Sequence, residues 1–110
     1  MIEKIVLDYL NDALNVPVYM EMPENKPDRF VLIEKTGSSR ENYIDFATIT
    51  IQSYAESLYY AAALNEDVKQ AMDDIIALDT VSRAELNSDY NFTDTETKKY
   101  RYQAVYDLVY

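Results

Sequence analysis

Residues 44–54 read Ile44-Asp45-Phe46-Ala47-Thr48-Ile49-Thr50-Ile51-Gln52-Ser53-Tyr54, and just beyond them the hydrophobic period changes. Up to Tyr54 the repeat is two. Ala47, Ile49 and Ile51 fall on one side, and Phe46, Thr48, Thr50 and Tyr54 on the other. β-Branched residues dominate, which suits a pleated, half-buried strand. Then Leu58, Ala61, Leu64, Val68, Ala71, Met72, Ile75 and Leu78 recur at three and four. That spacing predicts a helix of about six turns, with Ser57 as its N-cap.

Upstream, Ile2, Ile5, Val6, Tyr9, Leu10 and Leu14 mark one face of a first helix. Asn15 and Pro17 end it, because the residue before a proline avoids the helical region. Val18 to Met22 reads as a short edge strand. Phe30 to Lys35 reads as a second strand, with Phe30-Val31-Leu32-Ile33 apolar on both sides. Thr36 to Asn42 is polar and reads as a loop, its lone Gly37 marking a turn at positive φ. Downstream, Ala84, Leu86, Ser88, Tyr90 and Phe92 share one face of a strand. Tyr100, Tyr102, Ala104, Tyr106, Leu108 and Tyr110 share one face of the last, and Asp94 to Lys99 form a polar hairpin tip.

The order α-β-β-β-α-β-β predicts an α+β fold, residues 1–110 forming a single domain. It is a two-layer sandwich: a mainly antiparallel five-stranded sheet with two helices on one face. Two helices shield one face only. Phe46, Tyr54, Val105 and Val109 point to the other, which predicts an apolar patch of the kind that binds partners.

Composition narrows the chemistry. Of 110 residues, 48% are hydrophobic, enough for a packed core rather than a disordered chain. With no Cys and no His, thiol chemistry, zinc–thiolate sites and Ser-His-Asp triads are excluded. The net charge of −10 disfavours nucleic-acid backbones and anionic membranes. Glu3, Asp8 and Asp12 interrupt the apolar pattern at the N-terminus, so no signal peptide is read there, and no apolar window is long enough to span a bilayer.

Several local patterns reduce to ordinary structure. Asp89 to Asp94 alternates oxygen-bearing side chains like a calcium loop, but lacks the sixth-position glycine and has Tyr100 where a bidentate Glu belongs. Asn91-Phe92-Thr93 matches a glycosylation acceptor without a secretory context. Asp73 and Asp74 are helix neighbours pointing different ways, a solvated face rather than an acid–base pair. Lys98, Lys99 and Arg101 form the one basic cluster, best read as a charged tip that keeps an edge soluble. The tyrosines of the last strand, Tyr102, Tyr106 and Tyr110, lack the cations a base-stacking platform needs, so packing or a subunit interface is the better reading.

Pro27 to Gly37, Ala47 to Ser57, the Ala-rich helix and the closing Tyr102-Gln103-Ala104-Val105-Tyr106 together resemble the tail-terminator (tail-completion) proteins of long-tailed bacteriophages. The likeness extends over nearly the whole chain in length and element order. It implies a non-enzymatic virion protein with no cofactor and no metal. Such proteins form a hexameric ring of like subunits on the tail tube, stop its polymerisation, and present the surface that the neck, or head-completion, protein joins. DNA only passes through the lumen. The protein would sit in the host cytoplasm during assembly and at the tail–neck junction afterwards. On that reading the oligomer and tube contacts are expected at Gly37, Arg40, Phe46, Thr48, Thr50, Tyr54, Thr95, Lys98 and Lys99. The rival readings are another head–tail connector, or an acidic mimic of DNA. The acids scattered over helix faces and loops speak against the mimic.

Overall fold

A computed structural model describes residues 1–110. Helix α1 (Ile2–Ala13) buries Ile2, Val6 and Leu10 along one stripe. Strand β1 (Val18–Tyr19) follows, then β2 (Phe30–Glu41), β3 (Ile44–Ala55), α2 (Leu58–Asp73), a 3₁₀ turn (Ile75–Ala77), β4 (Arg83–Asn91) and β5 (Tyr100–Val109). The sheet order is β1-β2-β3-β5-β4. Only β1 runs parallel to its neighbour; the other pairings are antiparallel. This is the expected α+β arrangement.

Both helices lie on one face. Val6, Leu10, Leu64, Val68 and Met72 interlock with Val31, Ile33, Ile49, Ile51, Ala104, Tyr106 and Leu108 in a single core cluster. Each fully buried aliphatic side chain there contributes about 1.5–3 kcal/mol. The Ser57 hydroxyl accepts from the backbone N–H of Tyr60, the expected N-cap. Such a cap stabilises a helix by about 1 kcal/mol. At the far end of α2, Lys69 bridges Glu66 at 2.9 Å and Asp89 of β4 at 3.0 Å. Those hydrogen bonds, Glu66 first, hold the Lys69 ammonium charged well above the usual lysine range. The Asn65 amide also donates to Asp89, at 2.9 Å, so α2 is fastened to the outer strand. No helix is long and apolar enough to cross a membrane.

Four local expectations need correction. The segment Thr36–Glu41 is strand rather than loop, and Gly37 does not adopt positive φ. It pairs with Thr48 after a one-residue bulge at Thr36, and the left-handed residues are Asn42 and Tyr43 of the hairpin turn. The apolar half of β3 carries the polar half of β2 along by backbone pairing. The first edge strand is shorter than Val18 to Met22 and stops at Tyr19. Helix α2 stops at Asp73, and the 3₁₀ turn keeps Ile75 buried without further α-helix. Finally, Ala84 to Phe92 do not share one face. A bulge at Asn87 flips the alternation: Ala84 and Leu86 pair with core-side Leu108 and Tyr106, but Ser88 and Tyr90 pair with Val105 and Gln103 on the opposite face.

The β2–β3 hairpin makes the molecule long, 44 × 25 × 24 Å. Every residue from Glu34 to Ile44 is exposed. The base of the hairpin lies beside α1, with Lys35 3.6 Å from Glu3, and its tip projects as an exposed arm.

Candidate interaction surface

The face of the sheet turned away from the helices is a grid whose rows follow from the strand register. At the arm end stand Ser39, Phe46, Val109 and Arg83. Next come Gly37, Thr48, Asp107 and Glu85, then Glu34, Thr50, Val105 and Ser88, then Leu32, Gln52, Gln103 and Tyr90. Phe30, Tyr54 and Arg101 close the far end.

Apolar and polar groups alternate along this grid, and the polar ones are largely satisfied among themselves. Arg101 donates through Nη1 to the Tyr54 hydroxyl at 2.9 Å, and that hydroxyl donates to Gln52 Oε1 at 3.0 Å. Gln52 Nε2 donates to Gln103 Oε1 at 2.8 Å, and Gln103 Nε2 donates to the Tyr90 hydroxyl at 2.6 Å. The chain runs one way across three strands and ends at a half-exposed tyrosine whose own proton is free. Such a connected network fixes side chains before any partner arrives. Arg101 is further pinned by donation to the Phe92 carbonyl at 2.7 Å and by stacking over the Phe92 ring, 4.4 Å from its centroid.

The expected contact residues divide into two groups. Gly37, Phe46 and Thr48 line a shallow groove at the arm end, together with Arg83, Asp107 and Val109. Thr48 donates to Asp107 at 3.0 Å, and Asn87 donates to the other oxygen of that carboxylate at 3.1 Å. At the opposite end Lys98 and Lys99 border a groove floored by Phe30 and Tyr54. Thr95 lies in the intervening turn, which Asp94 organises by accepting from the backbone N–H groups of Glu96 and Thr97. A hydrogen bond from the Thr97 side chain, followed by those from the Glu96 and Thr97 backbone N–H groups, holds the Asp94 carboxyl below its ordinary range. Arg40 sits apart, on the arm, 3.6 Å from Asp45.

Two of the nine are corrected as free surface. Tyr54 is 6% exposed because Phe30 stacks flat on it at 4.6 Å, with Tyr19 edge-on to Phe30. Thr50 is equally buried, its hydroxyl directed at the Glu34 carbonyl. Within one chain these two support the face rather than offer it. The network residues Gln52, Gln103, Tyr90 and Arg101 were not among the expected contacts. The alternation of residues 101–109 already placed Arg101, Gln103, Val105, Asp107 and Val109 on one side, and was the signal for them.

Neither models of known protein families nor curated proteins show a match to this chain.

Proposed function

We propose that the chain is a non-enzymatic structural protein of a long-tailed phage, which caps the tail tube as a ring of like subunits and offers its outer surface to the neck. The sequence resemblance suggests the role. The observation that carries it is the shape of the sheet: two unpaired edges on opposite sides, an exposed arm between them, and a face with apolar residues at both ends. Two different edges on one subunit suit a heterologous interface, the kind that closes into rings. Acids such as Glu34, Glu85 and Asp107 on the uncovered face suit a lumen that DNA crosses without adhering.

The test is to add purified protein to tail tubes assembled from their tube protein. Capping predicts density at tube ends in electron micrographs and an end to lengthening when fresh tube subunits are supplied. Tubes that keep growing, with no protein at their ends, reject the reading. Binding to capsid portals in place of tube ends would identify a head-side connector instead.

A further inference from the structure

We infer that copies of this chain join edge to edge, with the free edge of β2 in one copy lying antiparallel to the free edge of β4 in the next. The inference rests on the reading that the chain assembles with itself, and it specifies how.

The lengths agree. Strand β1 occupies β2 only opposite Val31 and Leu32, so the free edge of β2 runs from Ile33 to Glu41. The free edge of β4 runs from Arg83 to Asn91. Laid antiparallel, with Ile33 opposite Asn91 and Glu41 opposite Arg83, the two edges cover each other from end to end. β4 then abuts the end of β1. The direction follows from the sheet. β2 is antiparallel to β3, β3 to β5 and β5 to β4, so β4 runs opposite to β2. A neighbour related by rotation about a ring axis keeps that sense.

The irregularities agree too. β2 has its extra residue at Thr36 and β4 has its extra residue at Asn87. In this register Thr36-Gly37 lies against Asn87-Ser88, so one bulge faces the other. The in–out alternation therefore stays in phase on both sides of the bulges. Lys35 and Asp89 both point to the helix side, as do Ser38 and Leu86; Ser39 and Glu85 both point to the uncovered side. The two-residue slip that sets Glu41 opposite Glu85 destroys this match, and the opposite slip keeps it but leaves the last two residues of each edge unpaired.

The charges agree last. The register sets Lys35, which within its own chain lies 3.6 Å from Glu3, opposite Asp89, already bridged by Lys69, and sets Glu41 opposite Arg83, which pairs with Glu85 of its own strand. Slipping by two residues in one direction sets Glu41 against Glu85. Charges on an edge strand ordinarily forbid pairing. Here they oppose the slip toward Glu41–Glu85 and leave the full-length register open, which is how repulsion contributes to specificity. Leu86, 44% exposed on the helix side of β4, would be covered by the incoming strand.

The chain contains no cysteine, which makes cross-linking clean. Directly opposed strand residues stand within disulfide reach. A variant carrying Ser39→Cys with Glu85→Cys should therefore give a reducible ladder of multimers under mild oxidation, and Ser39→Cys with Asn91→Cys should not. At about 150 mM salt, where long-range repulsion is screened, Arg83→Glu or Glu41→Arg alone should weaken association at least tenfold in sedimentation, and the two together should restore it. Equal cross-linking by both cysteine pairs, or reversals without effect in variants whose circular dichroism is unchanged, would overturn the junction. Tube capping is scored separately on the unaltered protein. Capping without in-register cross-links refutes the junction and leaves the cap; in-register cross-links without capping do the reverse.

Discussion

At Gly37 the backbone lies outside the left-handed region, and a Cβ built there meets nothing within 4 Å. The residue is therefore conformationally unnecessary within one chain. Glycine in a strand loses more chain entropy on folding than alanine does. Gly37→Ala is accordingly expected to raise stability by about 0.5 kcal/mol in urea denaturation; a fall would mean that the position uses a backbone angle only glycine tolerates. Tyr106 presents the opposite case. It is buried beneath α2, and that burial, followed by the nearby Asp73, pushes its hydroxyl up to about 12 from an ordinary value near 10. Asp89 and Glu66 act in the same direction, and Lys69 opposes them. The raised value means the folded state keeps a proton that the unfolded chain gives up near pH 10. Stability from this site is thus complete below pH 10 and is lost as pH rises to about 12. The loss amounts to about 2–3 kcal/mol, and Tyr106→Phe should flatten the profile in that window.

The β2–β3 turn shows what a short element conceals in a sequence. Asn42 and Tyr43 have φ of 52° and 67°, the conformation of a tight two-residue hairpin. A tyrosine there is unfavourable, and at 91% exposure it buries almost nothing within its own chain, the Arg40 guanidinium lying 5.8 Å from its ring centroid. Tyr43→Gly should therefore stabilise the isolated chain by about 1 kcal/mol in thermal or urea unfolding. If the arm tip contacts a neighbour or the tube, the same change should weaken assembly, so the two measurements move in opposite senses. An unchanged or lowered stability would show that the turn is not strained. The strands β3 and β5 and both helices could be read from periodicity because each has one face against the core. The outer half of β2 could not. Thr36-Gly37-Ser38-Ser39 is polar on both faces and is strand only because Ala47 and Thr48 stand beside it. The bulge at Asn87 likewise leaves no mark beyond a broken alternation, and so Tyr90 was placed on the wrong face. The face left uncovered by the helices was visible in outline, through Phe46 and Val109. Its hydrogen-bond chain was not, since glutamines at 52 and 103 gain meaning only when β3 and β5 set them side by side.

Net charge decides how a ring of such subunits responds to salt. Each copy carries −10 and is about 25 Å across the sheet. Treated as point charges at that spacing in water, two neighbours repel by about 7 kcal/mol at about 10 mM salt, where the screening length is about 30 Å. At about 150 mM the screening length is about 8 Å, and the repulsion drops below about 1 kcal/mol. The two opposed pairs proposed for the edge junction act at contact, are worth about 1 kcal/mol each at most, and are screened far less steeply over this range. Long-range repulsion therefore dominates the salt response, and raising salt from about 10 to about 150 mM should increase the assembled fraction in sedimentation velocity. Neutralising acids of α2, which packs over the central strands β3 and β5, such as Asp67→Asn together with Asp73→Asn, should mimic the salt at low ionic strength. Assembly that instead declines with salt would mean that the contact pairs outweigh the net charge, and that the acids of neighbouring copies lie farther apart than an edge-to-edge sheet allows.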